Sequence, residues 1–185
     1  SDLVATQLRL LRTNGVTIRV DLDPLVSMGE DLRSHILDMN RKMRTMAANI
    51  PVCARFQTIP GVGTITALSF YSAVGDPYRF RSNRDVGPYL GLTPNLYQSG
   101  VTARRGRISR YGNKLTRSHL ITAATVLLCS IKAESSLRTW GIRLATKIGF
   151  LKARVAVARK IAVIMMAMWK TGASFDPDKS KPQRS

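Results

Sequence analysis

Ser99 and Gly100 are followed by Arg104, Arg105, Arg107, Arg110, Lys114 and Arg117, with no acidic residue among them. A hydroxyl that attacks phosphorus must lose its proton, and the oxygens of the transferring phosphoryl group must be neutralised. Guanidinium groups do the second job well, because their planar donors meet phosphate oxygens in pairs. A serine beside a flexible glycine and such a cluster meets that requirement. The same composition also suits a phosphate clamp that performs no chemistry, and the residues alone leave both readings open.

The cluster belongs to a wider field. From position 86 to 175 the chain holds fifteen Lys and Arg against a single acid, Glu134, and the formal charge of all 185 residues is +18. Such an excess marks a surface for a polyanion. An anionic membrane is the competing partner, but membrane-surface segments set bulky apolar residues opposite a lysine-rich face. The densest cluster here is arginine-rich and loop-like, which favours nucleic acid. The longest apolar run, Ile161 to Trp169, is too short to span a bilayer.

Other chemistries find little support. His35 and His119 are far apart on helical patterns and read as packed or solvated imidazoles. Asp21 and Asp23 precede a proline in a capping turn, and Glu30 with Asp31 reads as solvated helix charge. No metal-ligand constellation is expected from this chain. Neither a Gly-x-Ser-x-Gly elbow nor a placed histidine supports a Ser/His/Asp triad. Cys53 and Cys129, in unlike contexts and without a charged-then-apolar leader at the start, read as two buried thiols in a reducing cytoplasm.

The elements that must position these residues are mainly helical. An apolar content of 44 % with ordinary glycine and proline counts predicts a folded protein. The chain opens mid-pattern, with Leu3, Leu8, Leu10 and Leu11 before Gly15, as a piece of something longer would. Leu25, Met28, Leu32, Ile36, Met39, Met43 and Met46 recur at spacings of three and four and predict a long amphipathic helix over 24–48 with a coiled-coil-like seam. The seam suits either core packing or a partner, and self-association is expected. Ile59-Pro60-Gly61-Val62-Gly63 ahead of a helix over 64–74 carries the pattern of a helix-hairpin-helix. There Gly61, Val62 and Gly63 would bring backbone N–H groups to a phosphate; the alternative is a glycine-rich turn between packed helices.

Ser82 to Asp85 has N-cap spacing before a short helix that ends by Gly91-Leu92-Thr93-Pro94. Asn95 to Tyr97 and Val101-Thr102 then predict a short β-hairpin around Ser99-Gly100. A helix over 114–132 follows, with Leu115, His119, Ala123, Val126 and Leu127 facing inward. Further helices are expected over 136–148 and 152–170. The expected organisation is therefore a truncated helical arm over 1–50, a domain over 51–173 and a disordered tail over 174–185.

Ile59-Pro60-Gly61-Val62-Gly63, the Phe80 to Leu90 segment, Gly91-Leu92-Thr93-Pro94, Tyr97-Gln98-Ser99-Gly100 and Arg107-Ile108-Ser109-Arg110-Tyr111-Gly112-Asn113 resemble, as an ordered set, the C-terminal transposase domain of the DEDD-type insertion-sequence recombinases. That family includes the pilin-gene invertases. The resemblance runs from about Phe56 to Asp176. It implies that Ser99 is the nucleophile, forming a covalent 5′-phosphoserine-type link to DNA during strand exchange. It implies too that a separate N-terminal RNase-H-like domain holds Mg²⁺ on four carboxylates, that a structured bridge RNA guides the protein, and that dimers assemble into tetramers. Alone, a chain without the carboxylate domain would bind DNA but not cut it. A non-catalytic helix-hairpin-helix module that coats DNA or RNA is the alternative.

Overall fold

The computed structural model describes residues 13, 23–99, 102–132 and 134–178, and the chain divides into two units between Met46 and Ala47. Helix α1 (Asp23–Ala48) makes up most of the described part of the first unit. Its apolar seam faces solvent: Leu25, Met28, Leu32, Ile36, Met39 and Met46 are all more than half exposed. Core packing by the described residues is thereby excluded for these six. Along the same helix Lys42 pairs with Asp38 one turn earlier, at 2.8 Å. The leucines at positions 3 to 11 lie outside the described residues.

The second unit is mainly helical. Helices α2 (Pro51–Phe56) and α3 (Thr64–Val74) come first, followed by 3₁₀ turns at Pro77–Arg79 and Asn83–Asp85 and the single-turn helix α4 (Val86–Tyr89). Ser82 and Asp85 close a reciprocal capping box at the second of those turns, as their spacing predicts. Strands β1 (Pro94–Ser99) and β2 (Thr102–Ile108) pair antiparallel, and α5 (Lys114–Cys129), α6 (Ser136–Ile148) and α7 (Phe150–Thr171) complete the unit.

The core is organised around α7, whose residues 150–170 carry no acid and whose apolar residues occur on most of its sides. A helix of that composition must be surrounded. Ala153, Val157, Ala158, Ile161, Ala162, Met165, Met166 and Met168 are buried, against α5 and α6 and also against α2 and α4. Phe56 and Phe70 meet edge-on at 5.5 Å, and Trp169 packs on both while stacking on Tyr71 at 5.0 Å. Each fully buried side chain of this size contributes about 1.5–3 kcal/mol.

Two packing expectations are corrected. Leu115 is 63 % exposed. The inward position beside it belongs to Thr116, whose buried hydroxyl is satisfied by the Ser69 carbonyl at 3.1 Å and the Ser69 hydroxyl at 2.8 Å. The buried stripe of α5 therefore runs through Thr116, Leu120, Ala123 and Leu127, and Leu115 falls beside it. Residues 174–178 are ordered rather than part of a loose tail. Phe175 packs on the core and its N–H donates to the Thr58 hydroxyl, while the Pro177 carbonyl accepts from both the N–H and the hydroxyl of Ser136.

One of the two cysteines differs from expectation: Cys53 is buried as expected, but Cys129 is exposed at the end of α5. Burial pushes the Cys53 thiol up to about 11, so it stays neutral. The native protein should therefore react with one equivalent of a thiol-selective chromogenic reagent at pH 8 and with two after denaturation. Two equivalents in the native state would contradict the packing of Cys53.

Candidate nucleic-acid interface

Ser99 is the last residue of β1 and pairs with Thr102 at the start of β2. Arg104, Arg105 and Arg107 lie on β2, Arg104 opposite Tyr97 and Arg105 opposite Leu96. The pairing is irregular between Pro94 and Leu96, an extra residue of the kind that re-aims a strand. Gly100 and Val101, which connect the strands, lie outside the described residues. The ribbon is tied down at its base, where the Ser109 N–H donates to the Thr93 carbonyl at 2.9 Å. A two-stranded ribbon is marginal by itself, so its base decides where Ser99 and the three arginines are held.

That base is a clamped loop. Arg110 adopts φ +58, the left-handed region that few side chains enter, and Gly112 follows at φ +77. Only glycine suits position 112, because a Cβ there would run into the Tyr89 carbonyl. Gly91 packs equally close against the backbone of Tyr111. Across this contact lies Arg117, 7 % exposed, whose Nη1 donates to the Leu90 carbonyl at 3.1 Å and the Tyr111 carbonyl at 3.0 Å. Asn113 then caps α5 by accepting from the Thr116 N–H at 3.0 Å.

The cationic residues thus separate by role. Arg110 and Lys114 are exposed beside the ribbon's base. Lys114 opens a helix whose first turn has no acid, the reverse of what a helix dipole prefers; a bound anion would relieve that arrangement. Arg117, expected among the phosphate ligands, is instead a structural cation buried against two backbone carbonyls. Tyr111, named from the sequence only within the Arg107 to Asn113 segment, is 76 % exposed. An aromatic within a run of polar turn residues was the available signal.

Gly61 and Val62 both pack into the fold. Gly61 has φ +89, and a Cβ there would stand 2.5 Å from the Ala123 carbonyl, so the turn between α2 and α3 rests directly on the backbone of α5. Val62 is 5 % exposed. Gly63, at the N-terminus of α3, is exposed and has open space around it. The segment is a packed turn between α2 and α3. Among the described residues no three His, Cys, Asp or Glu side chains group to hold a metal ion. None of the described helices is long and apolar enough to cross a membrane.

The same span, from Cys53 through the ribbon and clamped loop into α6, matches the family described as Transposase IS116/IS110/IS902 over residues 53–139. The chain carries a domain of that transposase family. Among its relatives, the transposase for insertion sequence element IS1111A of Coxiella burnetii is 36 % identical over 132 residues, 71 % of this chain and 36 % of the relative. The transposase for insertion sequence element IS1328 of Yersinia enterocolitica is 30 % identical over 145 residues, 78 % of this chain and 43 % of the relative. The pilin gene-inverting protein of Moraxella bovis is 30 % identical over 122 residues, 64 % and 37 % of the two chains. The chain spans about two fifths of the length of the curated relatives it matches.

For this transposase-family domain, Gly61→Ala should cost about 1–3 kcal/mol in urea unfolding, because it forces strain at positive φ and a clash with α5, while Gly63→Ala should unfold close to wild type. Equal effects at the two positions would contradict the packed-turn geometry. Arg117→Met should remove about 1.5–3 kcal/mol of stability by leaving two carbonyls without their charged donor. Arg110→Ala should leave stability nearly unchanged and lower the salt slope of DNA binding by about one.

Proposed function

We propose that the whole protein is a DNA transposase or site-specific recombinase and that this domain supplies the serine nucleophile. In this reading the Ser99 oxygen attacks a DNA phosphorus and forms a phosphoserine bond to the 5′ side. The broken P–O bond leaves as a 3′-hydroxyl, which takes up a proton. A second 3′-hydroxyl reverses the step on a new partner, so the phosphodiester energy is retained through the exchange. Arg104, Arg105, Arg107, Arg110 and Lys114 neutralise phosphate oxygens around it.

The observation that carries this reading is the strand register, which pairs Ser99 at the end of β1 with Thr102, two positions before Arg104 on β2, within a family-matched segment. The names of the relatives, which include insertion-sequence transposases and a gene-inverting protein, support DNA as the substrate. The carboxylates for Mg²⁺ would belong to another part of the whole protein. A guide RNA would choose the target, consistent with cations that recognise phosphate and carry no base code. The exposed seam of α1 supports assembly into a homodimer or larger homo-oligomer.

In the whole protein with Mg²⁺ and guide, Ser99→Ala should abolish strand exchange and the covalent protein–DNA adduct while leaving DNA affinity within about threefold of wild type, a change below about 0.7 kcal/mol. Undiminished exchange would reject the nucleophile and leave a binding module. Wild-type affinity should fall steeply with salt, as several phosphate contacts require; a flat salt response would reject the charged surface as the DNA contact.

A further inference from the structure

We propose that Tyr111 is a stacking platform for an unpaired DNA base, placed beside the phosphate-binding ribbon; this rests on the DNA-acting reading given above. The surrounding structure fixes the backbone of this residue closely and leaves its ring largely in solvent. Its carbonyl accepts from the buried Arg117, its backbone is pressed against Gly91, and its neighbours hold positive φ on both sides, Arg110 at +58 and Gly112 at +77. Left-handed backbone at a non-glycine residue is unfavourable and persists only where surroundings impose it. Here the imposed conformation delivers a large aromatic ring to solvent, 76 % exposed.

The ring is not part of the described hydrophobic core. A polar residue at position 111 would keep every backbone contact described above, since all of them use main-chain atoms of this position. The surroundings of the ring name its ligand. Arg110 and Lys114 flank it in sequence and are exposed, Leu115 adds an exposed apolar side chain one position on, and the β2 strand bearing Arg104, Arg105 and Arg107 runs directly into the loop. A flat aromatic face set among cations is how sequence-tolerant proteins hold single strands: the cations follow the backbone and the ring stacks on a base. A recombinase that opens a strand at Ser99 exposes unstacked bases along that strand, and a ring at the ribbon's base, about 16 Å of strand away from Ser99, suits a base a few nucleotides from the cut.

The test uses the whole protein with single-stranded DNA carrying one 2-aminopurine, a base whose fluorescence is quenched by stacking, and a fully paired duplex of the same length. Tyr111→Ala should weaken single-strand binding by about tenfold, the order of one lost base stack, and abolish the quench. Tyr111→Phe should retain both, and duplex affinity should change by less than about twofold in either variant. Unaltered quench and affinity in Tyr111→Ala would overturn the platform while leaving the recombinase reading intact. Equal loss on duplex and single strand would show a general backbone contact and also overturn it. A quench restricted to the RNA version of the oligonucleotide would overturn the assignment to DNA. If the wild-type protein bound none of these probes, the platform and the reading beneath it would fail together.

Discussion

One buried cation holds the functional face in place. The guanidinium of Arg117 joins the end of α4, through the Leu90 carbonyl, to the loop that follows β2, through the Tyr111 carbonyl. A charge withdrawn from water is tolerated only when its donors are used, and two carbonyls of chain segments remote in sequence use them here. The close glycine contacts at 91 and 112 add steric definition to the same junction. The position of the ribbon, the exposure of Arg110 and Lys114, and the presentation of Tyr111 all follow from that junction. A cluster that reads in sequence as uniform positive charge is, in three dimensions, one structural cation and several surface ones.

That distinction marks where sequence reasoning reaches its limit. Helices α1, α3, α6 and α7 are legible because apolar residues recur at helical spacing over long stretches. The capping box at Ser82 and Asp85 and the turn glycines are legible because local geometry demands those residue types. Burial of individual positions is not, because it is set by crossings between elements distant in sequence. Leu115 and Thr116 exchange their expected places for this reason: Ser69, 47 positions earlier, offers the threonine hydroxyl a partner. Nothing in the local pattern around Gly61 shows that the backbone of α5 lies against it. Arg117 differs from Arg110 in nothing that a linear pattern records.

The family match and the core describe overlapping but unequal pieces of chain. The matched residues, 53–139, contain the ribbon and the clamped loop, whereas α7 lies beyond them and contributes eight buried side chains. The chemistry-bearing segment is therefore supported from outside itself. Helix α7 is also acid-free, so the helix that fills the interior adds to the positive charge of the domain. Folding and polyanion attraction draw on the same stretch of sequence without conflict, since apolar stems of Lys and Arg can lie along a core whose charged ends reach water.

The short segment after α7 has an effect out of proportion to its length. Phe175 is fastened to Thr58 just past α2, and Pro177 to Ser136 at the start of α6, so a few residues bridge the earliest and latest helices of the unit. Such a bridge works as a latch: it holds the segment that follows α7 against the end of α2 and the start of α6. Any boundary drawn at Gly172 for expression or fusion would thus discard a closing element of the domain, and the helices would be left to find one another with their fastener removed.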